Sequence, residues 1–212
     1  MLLARKVENR LRGLLQVYGT PRIKTRLWDI EFSKGRWDFL DATPGDCVYP
    51  HVERYANNGR ILDLGCGSGS TANELDATAY HEYTGVDISD VALDKARRRS
   101  AENGRAHKHH FVRSDIAGYA PSQQFDVILF RDSIYYVPRP QIEAMLHQYS
   151  PFLTDNGVFI VRMSNGADKY KPIADTIERN FDVVETHAFD EPNAVVIVFR
   201  PRRREGVMRG RS

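Results

Sequence analysis

The residues that could do chemistry stand at the ends of apolar runs. Residues 60–70 read Arg60-Ile61-Leu62-Asp63-Leu64-Gly65-Cys66-Gly67-Ser68-Gly69-Ser70. Ile61, Leu62 and Leu64 have the make-up of a strand buried on both faces of a parallel sheet. Gly65, Gly67 and Gly69 follow at alternate positions, and a loop without Cβ atoms lets a ligand lie directly against backbone. The helix after such a loop turns unpaired N–H groups toward that ligand. The chemistry this suggests is binding of a nucleotide-type molecule at the carboxyl end of the first strand. Asp87 closes a second run, residues 82–88, about 20 residues beyond the glycines, where a carboxylate can accept from both hydroxyls of a ribose. Asp115 stands near the end of a third run, residues 111–116. Either acid could instead only cap the helix or turn that follows it.

The glycine spacing narrows the ligand. Dinucleotide loops read G-x-G-x-x-G. Here the spacing is G-x-G-x-G, with Asp63 two residues before the first glycine. The stretch Asp63-Leu64-Gly65-Cys66-Gly67-Ser68-Gly69 resembles the first motif of the class I, Rossmann-like S-adenosylmethionine-dependent methyltransferases. That resemblance implies that Asp63 receives the methionine ammonium and that Gly65, Cys66, Gly67, Ser68 and Gly69 lie under the methionine part and the ribose. It implies that Asp87 holds the ribose, that Ile88 packs on the adenine, and that Ser114, Asp115 and Ile116 read the adenine edge. Arg131 joins the cofactor set at the end of the fourth run.

That fourth run, residues 124–130, is almost wholly apolar and ends in Arg131-Asp132-Ser133-Ile134-Tyr135-Tyr136-Val137. Polar groups at the carboxyl end of a central strand are the expected place for chemistry. DNA and protein-glutamine N-methyltransferases carry N/D-P-P-Y/F here, and this chain does not. Asp132, Ile134, Tyr135 and Tyr136 instead resemble small-molecule O- and N-methyltransferases. An amine or hydroxyl acceptor must lose a proton. Asp132 is the first candidate to take it, then Tyr136 or His51. Ser133 and Tyr135, with Trp28 and Trp37, are candidates to bind the acceptor. The two tryptophans lie in Leu27-Trp28-Asp29-Ile30-Glu31-Phe32-Ser33-Lys34-Gly35-Arg36-Trp37-Asp38-Phe39-Leu40. This stretch resembles the lead-in of bacterial methyltransferases that forms a lid over cofactor and acceptor, and aromatic faces attract a cation such as a sulfonium. The same rings could simply fill a satellite core.

Positioning these residues requires an α/β chain. Seven apolar runs, alternating with helices through the first five, predict a Rossmann-like, mostly parallel seven-stranded sheet with helices on both faces and an antiparallel last strand. The expected division is an N-terminal helical extension and lid over residues 1–57, a cofactor-binding domain over 58–200, and a basic, disordered tail over 201–212. Residues 2–17 have helical apolar spacing and would pack on the domain or on a second copy of the chain in a homodimer. Residues 25–49 show no clean period and read as a loop or short helices, and residues 44–57 read as a helix. Leu153-Thr154-Asp155-Asn156-Gly157 reads as a turn. Lys95, Arg97, Arg98 and Arg99 read as a solvated helix face.

Composition bounds the partners. The 212 residues are 42% hydrophobic and 27% charged, with a net charge of +2. That balance suits one soluble domain and argues against nucleic acid as the partner, while a small-molecule acceptor is what the resemblance implies. The alternatives are an RNA or protein methyltransferase, favoured if the basic tail binds, or a non-catalytic module that keeps only cofactor binding. Two cysteines, Cys47 and Cys66, make neither a disulfide scaffold nor a metal cluster. His109 and His110 lack a third ligand at a recognisable spacing, so no metal is assigned. The expected compartment is reducing and cytoplasmic, with no membrane span and no secretory leader.

Overall fold

The computed structural model of the chain describes residues 2–40, 43–164, 170–191 and 193–202. The apolar runs form one seven-stranded sheet: β1 (Gly59–Leu64), β2 (Tyr80–Asp87), β3 (His109–Arg113), β4 (Phe125–Arg131), β5 (Leu153–Ser164), β6 (Phe181–Phe189) and β7 (Ala194–Pro201). Their order across the sheet is β3-β2-β1-β4-β5-β7-β6. Strands β1 to β5 are parallel. The last strand, β7, lies antiparallel between β5 and β6, as expected. Strand order reverses between β1 and β4, and a crevice opens beyond the carboxyl ends of strands at such a switch point.

The helices are α1 (Leu2–Tyr18), α2 (Pro21–Ser33), α3 (Tyr49–Ala56), α4 (Ser70–Glu74), α5 (Asp90–Glu102), α6 (Arg139–Tyr149) and α7 (Lys171–Asn180). Alternation along the central strands divides the core in two. Leu62, Leu64, Ile128, Phe130, Phe159 and Val161 pack with Ile142 and Leu146 of α6 and Ile173 and Ile177 of α7. Ile61, Val127, Leu129, Val158 and Ile160 pack with Val48, Val52 and Ala56 on the α3 side. None of the helices described is long and apolar enough to cross a membrane.

Four local expectations are corrected. Residues 21–33 form a regular helix, opened by Pro21 in its first turn, where a missing N–H costs nothing. Helix α3 starts only at Tyr49, because the Asp46 carboxylate accepts from the Val48 N–H at 3.0 Å and holds the chain in a turn. Residues 153–157 belong to β5, whose pairing with β4 skips between Phe125 and Val127, so a wide bulge accommodates the turn-forming residues. Between β3 and β4 there is no helix, and residues 114–124 cross in turns that contain Gly118 and Pro121. Tyr149 pins this crossing by donating its hydroxyl to the Ile116 and Tyr119 carbonyls at 2.6 and 3.1 Å. The tail beyond residue 202 lies outside the described residues.

His109 and His110 separate in role. His109 is buried, with Nε2 2.7 Å from the Tyr80 hydroxyl and Nδ1 2.8 Å from Ser100 Oγ. Burial, then the cations Arg105 and Lys108, push its pKa down to about 3, which keeps the ring neutral. The two ring nitrogens therefore tie β3 to β2 and to α5 respectively.

Candidate active site

The glycine loop sits at the switch point in backbone geometry that side chains rarely adopt. Gly65, Gly67 and Gly69 have φ of +89°, +54° and +78°. The Gly65 and Cys66 N–H groups both donate to the Val86 carbonyl, at 2.8 and 3.0 Å, which folds the loop back over β2. A Cβ at Gly65 would stand 2.4 Å from Ser133 Cβ. Gly65→Ala is therefore expected to lower stability by about 2 kcal/mol, from the left-handed backbone and the forced shift of Ser133. At this chain length that is a fall of roughly 4–8 °C in the thermal midpoint. A midpoint within one degree of wild type would show that the loop relaxes freely.

Two acids flank the loop. Asp63 is buried at the end of β1, where Tyr83 donates its hydroxyl to Oδ2. Its Oδ1 is buried and has no hydrogen-bond partner among the described residues. Burial pushes the Asp63 carboxyl up to about 6, against the Tyr83 hydrogen bond and the field of Arg131. Asp87 accepts from the Gly67 N–H at Oδ2 and from the Ser89 N–H at Oδ1, both at 2.9 Å. Burial likewise raises it to about 6, against those two amides. Each Asp87 oxygen keeps a further lone pair for a ligand. Burial, then Asp87 and Asp63, also hold the Cys66 thiol well above its usual range, so Cys66 is a small neutral filler of the loop.

The cleft over the loop encloses about 980 Å³ including its open mouth. It brings together Asp63, Gly65, Cys66, Gly67, Ser68, Asp87, Ile88, Asp115, Ile116 and Arg131 of the expected cofactor set, and Trp28, Trp37, Asp132, Ser133 and Tyr136 of the expected acceptor end. Gly69 lies below the lining, where a Cβ would press on Ala96 at 2.8 Å, so its work is close approach of the loop to α5. Ser114 is also outside the lining and donates its N–H to the Asp87 carbonyl at 3.0 Å.

Four of the expected roles change with the contacts around them. His51 does not reach the cleft. It faces β6, with Nδ1 3.0 Å from Glu185 Oε1. Tyr135 turns into the α6 side of the core and donates its hydroxyl to Asp132 Oδ1 at 3.0 Å, so it stands behind the cleft wall. Asp132 does line the cleft, but its oxygens are taken. Oδ1 also accepts from the Ser164 N–H at 3.0 Å, and Oδ2 accepts from Arg162 Nη1. Its donors come from Tyr135, Ser164 and Arg162, all within the wall, which fixes the carboxylate between β4 and β5. Tyr136 is no better placed as a base, since burial and then Asp132 push its phenol up to about 12.

Arg131 is likewise engaged. It donates Nη2 to Asp46 Oδ2 at 2.7 Å and to Thr43 Oγ1 at 2.9 Å. Burial of Asp46 opposes ionisation, but Arg131 and the Val48 N–H together hold its carboxyl below the usual range. The pair anchors the segment before α3 to the end of β4.

The N-terminal helices complete the cleft. Lys24, Trp28 and Phe32, spaced four apart on α2, all face it, and so does Gln16 of α1. Trp28 stands edge-on to Tyr136 at 4.8 Å between centroids and lies 5.7 Å from Trp37. Lys24 Nζ is 3.2 Å from Asp115 Oδ2. Of this wall, Gln16 and Lys24 were not legible beforehand, nor were Ser70 and Thr71 past the loop. The basic face of α5 is not simply solvated. Lys95 donates to the Phe32 carbonyl at 3.1 Å and Arg99 to the Ser68 carbonyl at 3.1 Å, so both brace the cleft.

Comparison with known proteins agrees with this architecture. Residues 61–157 match the family model described as a methyltransferase domain. The chain is 31% identical over 81 residues to a ubiquinone biosynthesis O-methyltransferase of Aromatoleum aromaticum, a match covering 38% of this chain and 34% of that protein. The match thus spans about a third of that curated relative's length. Among solved structures, the CcbJ methyltransferase of Streptomyces caelestis superposes with a TM-score of 0.65 at 17% identity, covering 78% of this chain and 96% of that one. The N-methyltransferase NodS of Bradyrhizobium japonicum, in complex with S-adenosyl-L-homocysteine, gives 0.63 at 14% identity, covering 83% and 99%. At these identities the structural likeness speaks for the fold alone.

Proposed function

We propose, for a chain that carries a class I, Rossmann-like methyltransferase domain, that it transfers a methyl group from S-adenosylmethionine to an oxygen or nitrogen of a small molecule. The observation that carries this is the pair of buried acids at the switch point. Asp63 offers an Oδ1 that is buried and has no hydrogen-bond partner among the described residues within normal geometry. Asp87 is held open toward the cleft by the Gly67 and Ser89 amides. An amino-acid nucleoside has the matching groups, an ammonium for Asp63 and a ribose diol for Asp87.

The other residues fit the same ligand. Ile88 and Ile116 offer apolar faces to a purine, and Asp115 an acceptor to its amine. When bound, S-adenosylmethionine supplies an electrophilic methyl on a sulfonium. The rings of Trp28, Phe32, Trp37 and Tyr136 would attract that positive charge and exclude water. Helices α1 and α2 with the following turn act as a lid, latched by Lys24 on Asp115 and by Lys95 at the end of α2. With Asp132 held by Tyr135, Ser164 and Arg162, catalysis rests on holding the acceptor in line, a contribution of up to about 7–11 kcal/mol when geometry is near attack, and the acceptor's proton passes to solvent water. Asp132 becomes a positioning residue that ties β4 to β5 through Arg162 and the Ser164 N–H.

The test is transfer of labelled methyl from S-adenosylmethionine to fractions of a cell extract. Label in the small-molecule fraction is expected. Label only in protein or RNA would overturn the acceptor class, and no binding of S-adenosylmethionine would overturn the reading altogether. Asp132→Asn should keep the labelling rate within about tenfold, whereas loss of a general base costs about 10²–10⁴-fold. A fall of that size, with a shifted pH profile, would restore Asp132 as the base.

A further inference from the structure

A second cluster of chemistry-bearing side chains lies where α3 meets the sheet edge, apart from the cleft lining. His51 on α3 and Glu185 and His187 on β6 face one another. His51 Nδ1 is 3.0 Å from Glu185 Oε1, and His187 Nε2 is 3.3 Å from Glu185 Oε2. The two imidazole centroids are 4.9 Å apart. One ligand atom from each of the three residues lies within 4.8 Å of the others.

The local structure explains the convergence. Residues 185 and 187 share a face of β6 by strand alternation. The pairing of β6 with β7 is irregular between Val183 and Glu185, which re-aims the strand from Glu185 onward. Phe189, two residues further along that face, packs on both imidazoles, with centroids 6.5 Å from His51 and 6.3 Å from His187. Rigid elements and an aromatic floor thus hold three donors in one place.

We propose that His51, Glu185 and His187 form a binding site for a divalent transition metal of the zinc type, which clamps α3 to the edge strand. Two imidazole nitrogens and one carboxylate suit zinc, cobalt or nickel rather than magnesium or calcium, which take oxygen donors. Around a tetrahedral zinc at about 2.1 Å, ligand atoms stand about 3.4 Å apart. His51 Nδ1 already sits near that value from Glu185 Oε1, and His187 Nε2, which is 3.3 Å from the other oxygen, reaches it by a turn of the carboxylate. The two imidazoles need only close on each other by side-chain rotation. The fourth position is left to water. Glu185 alone would not require both rings, since Arg54 already donates to its Oε1. Arg54 is more than half exposed and can withdraw into solvent, which makes it a competitor of the metal rather than a ligand.

The experiment is calorimetric titration of the untagged, chelator-treated full chain with zinc chloride. Cobalt chloride then serves as a spectroscopic probe of imidazole ligation. Wild type should bind one zinc ion and gain thermal stability from it. His51→Ala and His187→Ala should each weaken binding at least about tenfold, since even outer-shell changes cost about 10–100-fold. His107→Ala, an exposed histidine elsewhere, should change nothing. Arg54→Ala should tighten binding, an outcome that a misfolded protein cannot produce. No zinc binding by wild type, or equal affinity in either ligand variant, overturns the proposal. Should the histidine variants fail to fold, Arg54→Ala decides alone, and unchanged affinity in that variant overturns it.

Discussion

Asp87→Ala is expected to weaken binding of S-adenosylmethionine at least about 100-fold in calorimetry. The carboxylate is fixed by the Gly67 and Ser89 N–H groups, each at 2.9 Å, so its remaining lone pairs are already aimed. Two hydrogen bonds from a ribose to a charged acceptor are worth about 1.5–3 kcal/mol each, and losing both removes about 3 kcal/mol or more. The variant also leaves the Gly67 amide without its partner, which loosens the loop under the ligand. The pH dependence carries a sign that checks the same point. Asp87 and Asp63 each ionise near pH 6 in the free chain. Both must be ionised to hold a diol and an ammonium. Affinity should be flat above about pH 7 and fall progressively below pH 6. Binding that is indifferent to Asp87→Ala would detach this acid from the cofactor.

What was legible in the sequence follows from how local each signal is. The loop and its acids could be read because a strand's end, three glycines and the next strand's last acid lie within one βαβ unit, whose geometry is set by short-range rules. The antiparallel insertion of β7 was likewise expected and found. Helix α2 was missed because its cleft-facing row is Lys24, Trp28 and Phe32. A cation at the head of an aromatic row defeats a search for apolar periodicity. The roles of Arg131, Asp132 and His51 depend on partners far away in the chain. Asp46 for Arg131, Arg162 for Asp132 and Glu185 for His51 are 85, 30 and 134 positions distant. Residue type and spacing marked all three as chemically interesting. Only tertiary packing shows that two are committed to holding the wall of the cleft and that the third faces another surface.

Asp63→Asn is expected to separate stability from binding at the same position. The Asp63 carboxyl stands at about 6 in the folded chain, against an ordinary value of 3.8, with burial as the leading cause. For a group raised in this way, stability is fully present below the unfolded value and is lost as pH rises through the folded one. About two pH units correspond to roughly 3 kcal/mol, so at pH 8 the wild-type chain holds an ionised Asp63 against its own stability. Asparagine is neutral throughout. Any cost of burying its amide is the same at every pH, so it cancels when two pH values are compared. The stability of Asp63→Asn relative to wild type should therefore rise by roughly 2–3 kcal/mol between pH 4 and pH 8, read from denaturant unfolding. A flat difference would mean that the carboxyl is not perturbed. At pH 8 the same variant should lose affinity for S-adenosylmethionine, because an amide cannot pair with an ammonium as a carboxylate does. A buried charge that weakens the fold at working pH, with one oxygen unpartnered among the described residues, is what the proposed ammonium site would show before its ligand arrives.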